Sequence, residues 1–371
     1  MKKVITNTFL LLTGCLISLV ILEGFLRIYN PFDLRIKGDK IVLPVNRNYS
    51  YKANIDGLDN IIIHKKNSLG FRGEEPPVDF NEYLTIITVG GSTTECALIS
   101  DGKTWPDRLK VMLKNDFPRL WLNNAGLVGH STFAHIILLN DYIVKIKPKV
   151  ALFLIGINDL GRSAMTDRDA ENVREISIAS RTSLKGIYRS LSANSELLSL
   201  MFNFYRYSLA KSMGLVHNKV ELDEMGQLEL NDSYCEKMES LHKKNYLPGY
   251  EARLKEIVRI CKTNGIEPVI ITQPILWGDG IDCIKNINLA NIKIDQNTNG
   301  KLEWEILELY NDISRNVAAK EDILLIDLAT KMPKCSIYFY DGIHYTNRGA
   351  EKVAEIIYKE LSPSLKKEFF R

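Results

Sequence analysis

Two stretches far apart in the chain carry residue types that together could do nucleophilic chemistry. In the first, Thr85-Ile86-Ile87-Thr88-Val89-Gly90-Gly91-Ser92-Thr93-Thr94-Glu95, an apolar, β-branched run stops at two glycines and a serine follows at once. In the second, Asp341-Gly342-Ile343-His344, a carboxylate stands three residues before an imidazole, with a glycine between them. A serine hydroxyl is a weak nucleophile unless a base removes its proton as it attacks. Histidine serves as that base near neutral pH, and a carboxylate on its other ring nitrogen fixes tautomer and orientation. The three-residue spacing allows Asp341 to fold back onto His344. Of the six histidines, His344 alone has a carboxylate at this spacing with a glycine between. His64, His135, His217 and His242 read as surface or packing residues. His130 reads as a structural hydrogen-bonding group that could border the site. Each stretch also has a plainer reading, an ordinary glycine turn with a solvated serine and a turn aspartate.

The elements that must position these residues follow from periodicity. The run ending at Val89 reads as a buried strand, and so do Leu120–Leu122, Val150–Ile155, Pro268–Thr272 and Ile323–Asp327. Helices read between them. Thr104 caps one carrying Trp105, Leu109, Met112 and Leu113. Others run from about 132 to 145, from Tyr250 to Thr263 (stopped by Asn264-Gly265) and over 303–318, and Asn347 caps a last one. Strand and helix alternate, which is the pattern of a doubly wound parallel sheet. Such sheets bind ligands beyond the carboxyl ends of their strands, where Ser92 would sit.

Two further stretches stand at strand ends, Asn123-Asn124-Ala125-Gly126-Leu127-Val128-Gly129-His130-Ser131 and Leu152-Phe153-Leu154-Ile155-Gly156-Ile157-Asn158-Asp159. With all four in this order, the chain resembles the SGNH (GDSL-like) hydrolase family, roughly over residues 84–159 and 265–361. The resemblance implies a three-layer α/β/α fold with a five-stranded parallel sheet, flavodoxin-like in type. It implies Ser92 as nucleophile, with Asp341 and His344 as acid and base. It places the oxyanion hole on Ser92, Gly129 and Asn158. No metal and no cofactor is called for. Block I of the family usually reads Gly-Asp-Ser, whereas here it is Gly90-Gly91-Ser92. Glu95 and Cys96 stand where many members carry an apolar residue and a glycine. Glu95 is expected near the acyl pocket, where its charge would favour short acyl groups. Asn67-Ser68-Leu69-Gly70-Phe71-Arg72-Gly73 is similar to a stretch preceding the catalytic domain in many membrane-anchored members. There Phe71 reads as tucked against the domain, and Arg72 as a candidate substrate contact.

The chain has 371 residues, 45% hydrophobic and 25% charged, enough for one large core or two smaller ones. A net charge of +3 gives no argument for nucleic acid. After Met1-Lys2-Lys3, an apolar run from Val4 to Leu22 is long enough, at about 28 Å, to cross a bilayer. Residues 1–23 therefore read as a tail and uncleaved single-pass anchor in an inner membrane, with the bulk of the chain periplasmic or extracellular. The competing readings are a cleaved signal peptide, or a lipoprotein site at Leu12-Thr13-Gly14-Cys15. Residues 24–82 read as a juxtamembrane segment with short β pieces, and 83–371 as the catalytic domain. An insertion of helical character interrupts that domain at about 161–249, apolar around Ile187, Leu191, Leu197 and Phe202–Leu209. It reads as a subdomain packed on the sheet, with a lid or a bilayer-facing surface as alternatives. The cysteines form no Cys-x-x-Cys pair. A bridge from Cys235 or Cys261 to Cys283 or Cys335 is open, and buried thiols are the default.

The expected function is a membrane-anchored serine esterase acting on O-acyl groups, acetyl above all, with an acylated carbohydrate or lipid as substrate. The alternatives are a lysophospholipase or thioesterase, and a glycan O-acyltransferase or binding partner on the same fold.

Overall fold

The structure is a computed structural model, and it describes residues 2–29, 36–37, 40–163, 194–201, 204 and 220–369. Much of the expected insertion, including Lys185, Ile187, Arg189, Leu191, Phe202, Tyr205, Arg206, Leu209 and Lys211, lies outside the described residues, as does His217. The chain divides into two compact units, Met1–Pro44 with Ala170–Val216, and Val45–Asp169 with His217–Arg371.

In the first unit, α1 (Lys2–Ile28) is a continuous helix. Its Lys3–Ile28 stretch is long and apolar enough to cross a membrane. Near its end, Glu23 accepts the N–H groups of Glu196 and Leu197 and the hydroxyl of Ser195. Those groups open a short helical segment whose first N–H groups have no carbonyl of their own helix to bond. Two short strands, β1 (Ile36–Lys37) and β2 (Lys40–Ile41), pair antiparallel.

The second unit begins with an antiparallel hairpin, β3 (Arg47–Lys52) and β4 (Ile61–Lys66), around a turn at Asp56-Gly57. Then comes the expected alternation: β5 (Leu84–Gly90), α2 (Ser92–Glu95), α3 (Trp105–Asp116), β6 (Leu120–Asn124), α4 (Thr132–Leu138) and β7 (Val150–Leu154). After it follow α5 (Asp232–Asn245), α6 (Leu247–Thr263), β8 (Glu267–Ile271), α7 (Gly300–Lys320), β9 (Leu325–Ile326), α8 (Leu328–Lys331) and α9 (Asn347–Phe369). Five strands form one parallel sheet in the order β6-β5-β7-β8-β9. This is the expected doubly wound, flavodoxin-like fold.

Every residue of β5, β6 and β7 is buried, which is why the sequence shows continuous apolar runs there rather than alternation. The two parities still face different layers. Leu84 and Ile86, Leu120 and Leu122, and Val150, Leu152 and Leu154 share one core with Leu109 and Leu113 of α3 and Val353 and Ile357 of α9. On the other side α6 packs against both α4 and α7. The strand order reverses direction between β5 and β7, so the crevice beyond their carboxyl ends is the switch point where such sheets bind ligands.

Local signals mostly hold. Thr104 caps α3 by accepting the Asp107 N–H, and Asn264 with Gly265 (φ +69°) ends α6. One cap is displaced: Thr346, not Asn347, accepts the Gly349 N–H at 3.0 Å, while Asn347 reaches across to Asp59. The disulfide joins Cys283 to Cys335, so neither pairs with Cys235 or Cys261, the partners expected from the sequence, and both of those thiols are free. Cys283 and Cys335 lie in loops at 5.3 Å between Cα atoms, while Cys261 is buried inside α6.

Candidate active site

β5 ends at Gly90, Gly91 turns the chain, and Ser92 is the first residue of the single helical turn α2. The turn is bolted down from several sides. The Thr93 carbonyl accepts the Trp105 indole N–H at 3.0 Å, and the Thr94 carbonyl accepts the Asn124 side-chain amide at 2.6 Å. Cys96 ends the turn in the left-handed conformation (φ +51°), one that glycine adopts at less cost and that many members of the resembled family fill with glycine.

Ser92 is 7% exposed, and its Oγ lies 2.7 Å from His344 Nε2. His344 Nδ1 lies 2.6 Å from Asp341 Oδ2. The other oxygen, Asp341 Oδ1, accepts the N–H groups of Ile343 and His344 at 2.8 Å each. The turn thus folds back as the spacing suggested, and its own backbone orients the carboxylate. Burial pushes the Asp341 carboxyl up. The hydrogen bond and charge of His344, with those two backbone N–H groups, outweigh it and hold the group below the usual carboxylate range. The Tyr340 ring stacks on the His344 ring, nearly parallel at 10° and 5.5 Å between centroids.

The other two expected site residues come to the same corner. Asn158 lies in a 3₁₀ turn, Ile157–Asp159, just after β7. Its amide nitrogen packs on Gly91, 2.1 Å from where a Cβ would stand. A side chain at 91 would require that amide to shift. Gly129 lies in a turn that needs a positive φ of +78°. Its loop is tied to β5 by Ala125 N–H to the Thr88 carbonyl and Leu127 N–H to the Gly90 carbonyl, at 2.9 and 3.0 Å. Among the described residues, the N–H groups of Ser92 and Gly129 donate no backbone hydrogen bond outside the regular elements. Ser92, Asp341, His344, Gly129 and Asn158 therefore converge at the switch point, and His130, buried, follows Gly129 in the same loop.

Several supporting groups were not legible beforehand. Asp159 is fully buried and accepts the Thr132 backbone N–H and hydroxyl, and Arg253 reaches both partners. This clamp fixes the strand end that carries Asn158. Asn-Asp after a strand was the available signal, but Arg253 is far away in sequence. Arg72 is not a substrate contact. It is 2% exposed and donates to the carbonyls of Glu95, Cys96 and Ile99 at 2.8 Å each, and to the Asp101 carboxylate. Phe71 is tucked in beside it, as expected. Glu95 is likewise not an acyl-pocket residue. It is buried, and its carboxylate binds Lys66 and the Val128 N–H.

A cavity of about 10 Å³ opens beside Ser92, lined by Cys96, Ile99, Tyr340, His344 and Tyr345 among others. A larger cavity of about 680 Å³ shares Tyr340 with it and carries Asp56, Glu221, Lys285, Asn347 and Arg348 among apolar side chains.

No curated protein matched the chain. Among solved structures, it is similar to the acetylxylan esterase Axe2 of Geobacillus stearothermophilus at 14% identity, over 74% of this chain and 93% of that one, with a TM-score of 0.41. It is also similar to LAE5, an α/β hydrolase from the metagenome of Lake Arreo, Spain, at 14% identity, over 76% and 96% of the two chains, with a TM-score of 0.42. The profile of the GDSL-like Lipase/Acylhydrolase family matches residues 87–352, a span that holds Ser92, Gly129, Asn158, Asp341 and His344 and takes in well over half of the sequence. The chain belongs to that family, and so to the enzymes that hydrolyse acyl esters.

Proposed function

We propose that the chain is a membrane-anchored serine esterase that removes short O-acyl groups, acetyl above all, from a polar alcohol such as an envelope carbohydrate. The observation that carries the catalytic part is the unbroken chain from Ser92 Oγ through His344 to Asp341, at 2.7 and 2.6 Å. Ser92 attacks the ester carbonyl while His344 Nε2 takes its proton. The oxyanion is held by the N–H groups of Ser92 and Gly129 and the Asn158 amide. His344 returns the proton to the departing alcohol, leaving an acyl-serine. Water, deprotonated by His344, then releases the acid and frees Ser92.

The size of the cavities supports a small acyl group on a larger polar alcohol. About 10 Å³ beside Ser92 has room for roughly a water-sized group. The 680 Å³ cavity that shares Tyr340 offers carboxylate, cationic and amide groups to a hydroxyl-rich partner. On this reading the preference for short chains rests on the tightness of the wall rather than on a charge at Glu95. Esters of p-nitrophenol from acetate to palmitate test it. We expect kcat/KM to be highest at two to four carbons and to fall beyond. A steady rise with chain length would favour a lipid substrate instead. Transfer of the acyl group to added sugar in preference to water would favour the acyltransferase reading.

Three observations support the anchor and its orientation. Along α1, apolar side chains such as Leu10, Leu11, Leu12, Leu16 and Val20 are more than half exposed, a surface that water does not favour and lipid does. The Lys3–Ile28 stretch rises about 39 Å, more than the roughly 30 Å of a bilayer's hydrocarbon core. The Cys283–Cys335 disulfide suits an oxidising compartment outside the cytoplasm.

A further inference from the structure

The buried Glu95 lies one turn beyond Ser92 on α2 and is tied through its carboxylate to two other segments and through its backbone to two more. One oxygen accepts the Val128 N–H at 2.6 Å, and the other lies 3.5 Å from Lys66 Nζ at the end of β4. The Glu95 N–H donates to the Gly91 carbonyl at 2.9 Å, and its own carbonyl accepts from Arg72 at 2.8 Å. Both Glu95 and Lys66 are at least 96% buried. Burying an ion pair is costly and is often no gain over well-packed apolar residues. A pair kept in such a place is therefore informative when one partner makes a further, directed bond. Here that bond goes to the residue immediately before Gly129. The Val128–Gly129 turn is tight, with Gly129 at φ +78°, so any swing at Val128 redirects the next N–H along the chain. A charge-assisted bond from a carboxylate is short and strong enough to hold it.

We propose that Glu95 is a positioning residue for the oxyanion hole: by holding the Val128 N–H it fixes the direction in which Gly129 presents its own N–H beside Ser92. Lys66 neutralises the carboxylate that does this. The inference rests on the reading of Ser92 as nucleophile and Gly129 as oxyanion donor.

Removing Glu95 alone would take away one counter-charge from the buried Lys66, so the test removes both charges together. In the double variant K66M/E95Q the amide oxygen still accepts the Val128 N–H. In K66M/E95L nothing does. On p-nitrophenyl acetate we expect K66M/E95L to lose about tenfold to a hundredfold in kcat, with KM changed less than about threefold, because a misaimed oxyanion donor harms the transition state and not the bound ester. The glutamine variant should recover most of that loss. Should K66M/E95L fail to fold, Glu95→Asp in the otherwise unchanged chain serves instead. It keeps the charge pair but withdraws the acceptor by one methylene, and a kcat loss of about tenfold is expected. Equal kcat for the Leu and Gln variants in folded protein, or unchanged kcat for Glu95→Asp, would overturn the proposal. Ser92→Ala, run alongside, separates the two levels. If it stays active, the reading of the site fails. If it is dead while the Glu95 variants keep wild-type kcat, only the positioning role fails.

Discussion

Ser92→Ala is expected to lower ester hydrolysis by about 10⁴- to 10⁶-fold while leaving the protein folded. The size of the effect follows from the route. Without the hydroxyl no acyl-serine forms, and the residual rate is what the oxyanion donors and substrate positioning supply to attack by water. Folding should survive because, among the described residues, the Ser92 side chain bonds to His344 alone, while the turn around it is held by Trp105, Asn124 and the Gly91 carbonyl. The check is kcat/KM on p-nitrophenyl acetate together with a thermal melt. A loss below about tenfold in well-folded protein would remove Ser92 from the chemistry.

The second large effect is expected at Asp341. Asp341→Asn should cost about 10⁴-fold in kcat at neutral pH. The carboxylate oxygen 2.6 Å from His344 Nδ1 accepts a hydrogen bond from the Nδ1–H, so the imidazole proton is kept on Nδ1 and Nε2 is left bare to take the proton of Ser92. An asparagine presenting its NH₂ at that position donates instead, moves the imidazole proton to Nε2, and leaves no base facing Ser92. Geometry should change little, since the other oxygen still accepts from Ile343 and His344. The wild-type carboxyl is held low by the His344 bond and those N–H groups against the opposing effect of burial, so it stays ionised through the neutral range. Raising the pH by one or two units should restore little of the lost activity. Near wild-type turnover in Asp341→Asn would show that His344 is oriented by something else.

The parts of this molecule that were legible in advance share one property: their signals are local. A β-branched run that stops at glycine predicts a buried strand and a corner, and β5 with Ser92 is that corner. The Asp341-to-His344 spacing encodes a turn that satisfies its own aspartate. Long-range partners left no such trace. Arg72 looked available for substrate because nothing near it in sequence shows that three carbonyls from Glu95 to Ile99 surround its guanidinium. Glu95 looked like a pocket residue because its spacing from Ser92 is visible and its pairing with Lys66, twenty-nine residues earlier, is not. The expectation of short acyl groups therefore has a different support from the one first read. On the proposed reading the acyl group enters the small cavity lined by Cys96, Ile99 and two tyrosines from the other end of the chain, and burial of a long acyl chain gains about 0.8 kcal/mol per CH₂ only where there is room. The cap of α9 moved by one residue for a similar reason, because Asn347 is drawn away by Asp59 from the distant hairpin.

The central claim is that acyl transfer passes through Ser92. It is tested most directly by treating the purified protein with a fluorophosphonate and mapping the adduct by peptide mass spectrometry. The account predicts one stoichiometric adduct, on Ser92, formed far more slowly in Asp341→Asn and absent in Ser92→Ala. An adduct on any other residue, or equal labelling of wild type and Ser92→Ala, would contradict it.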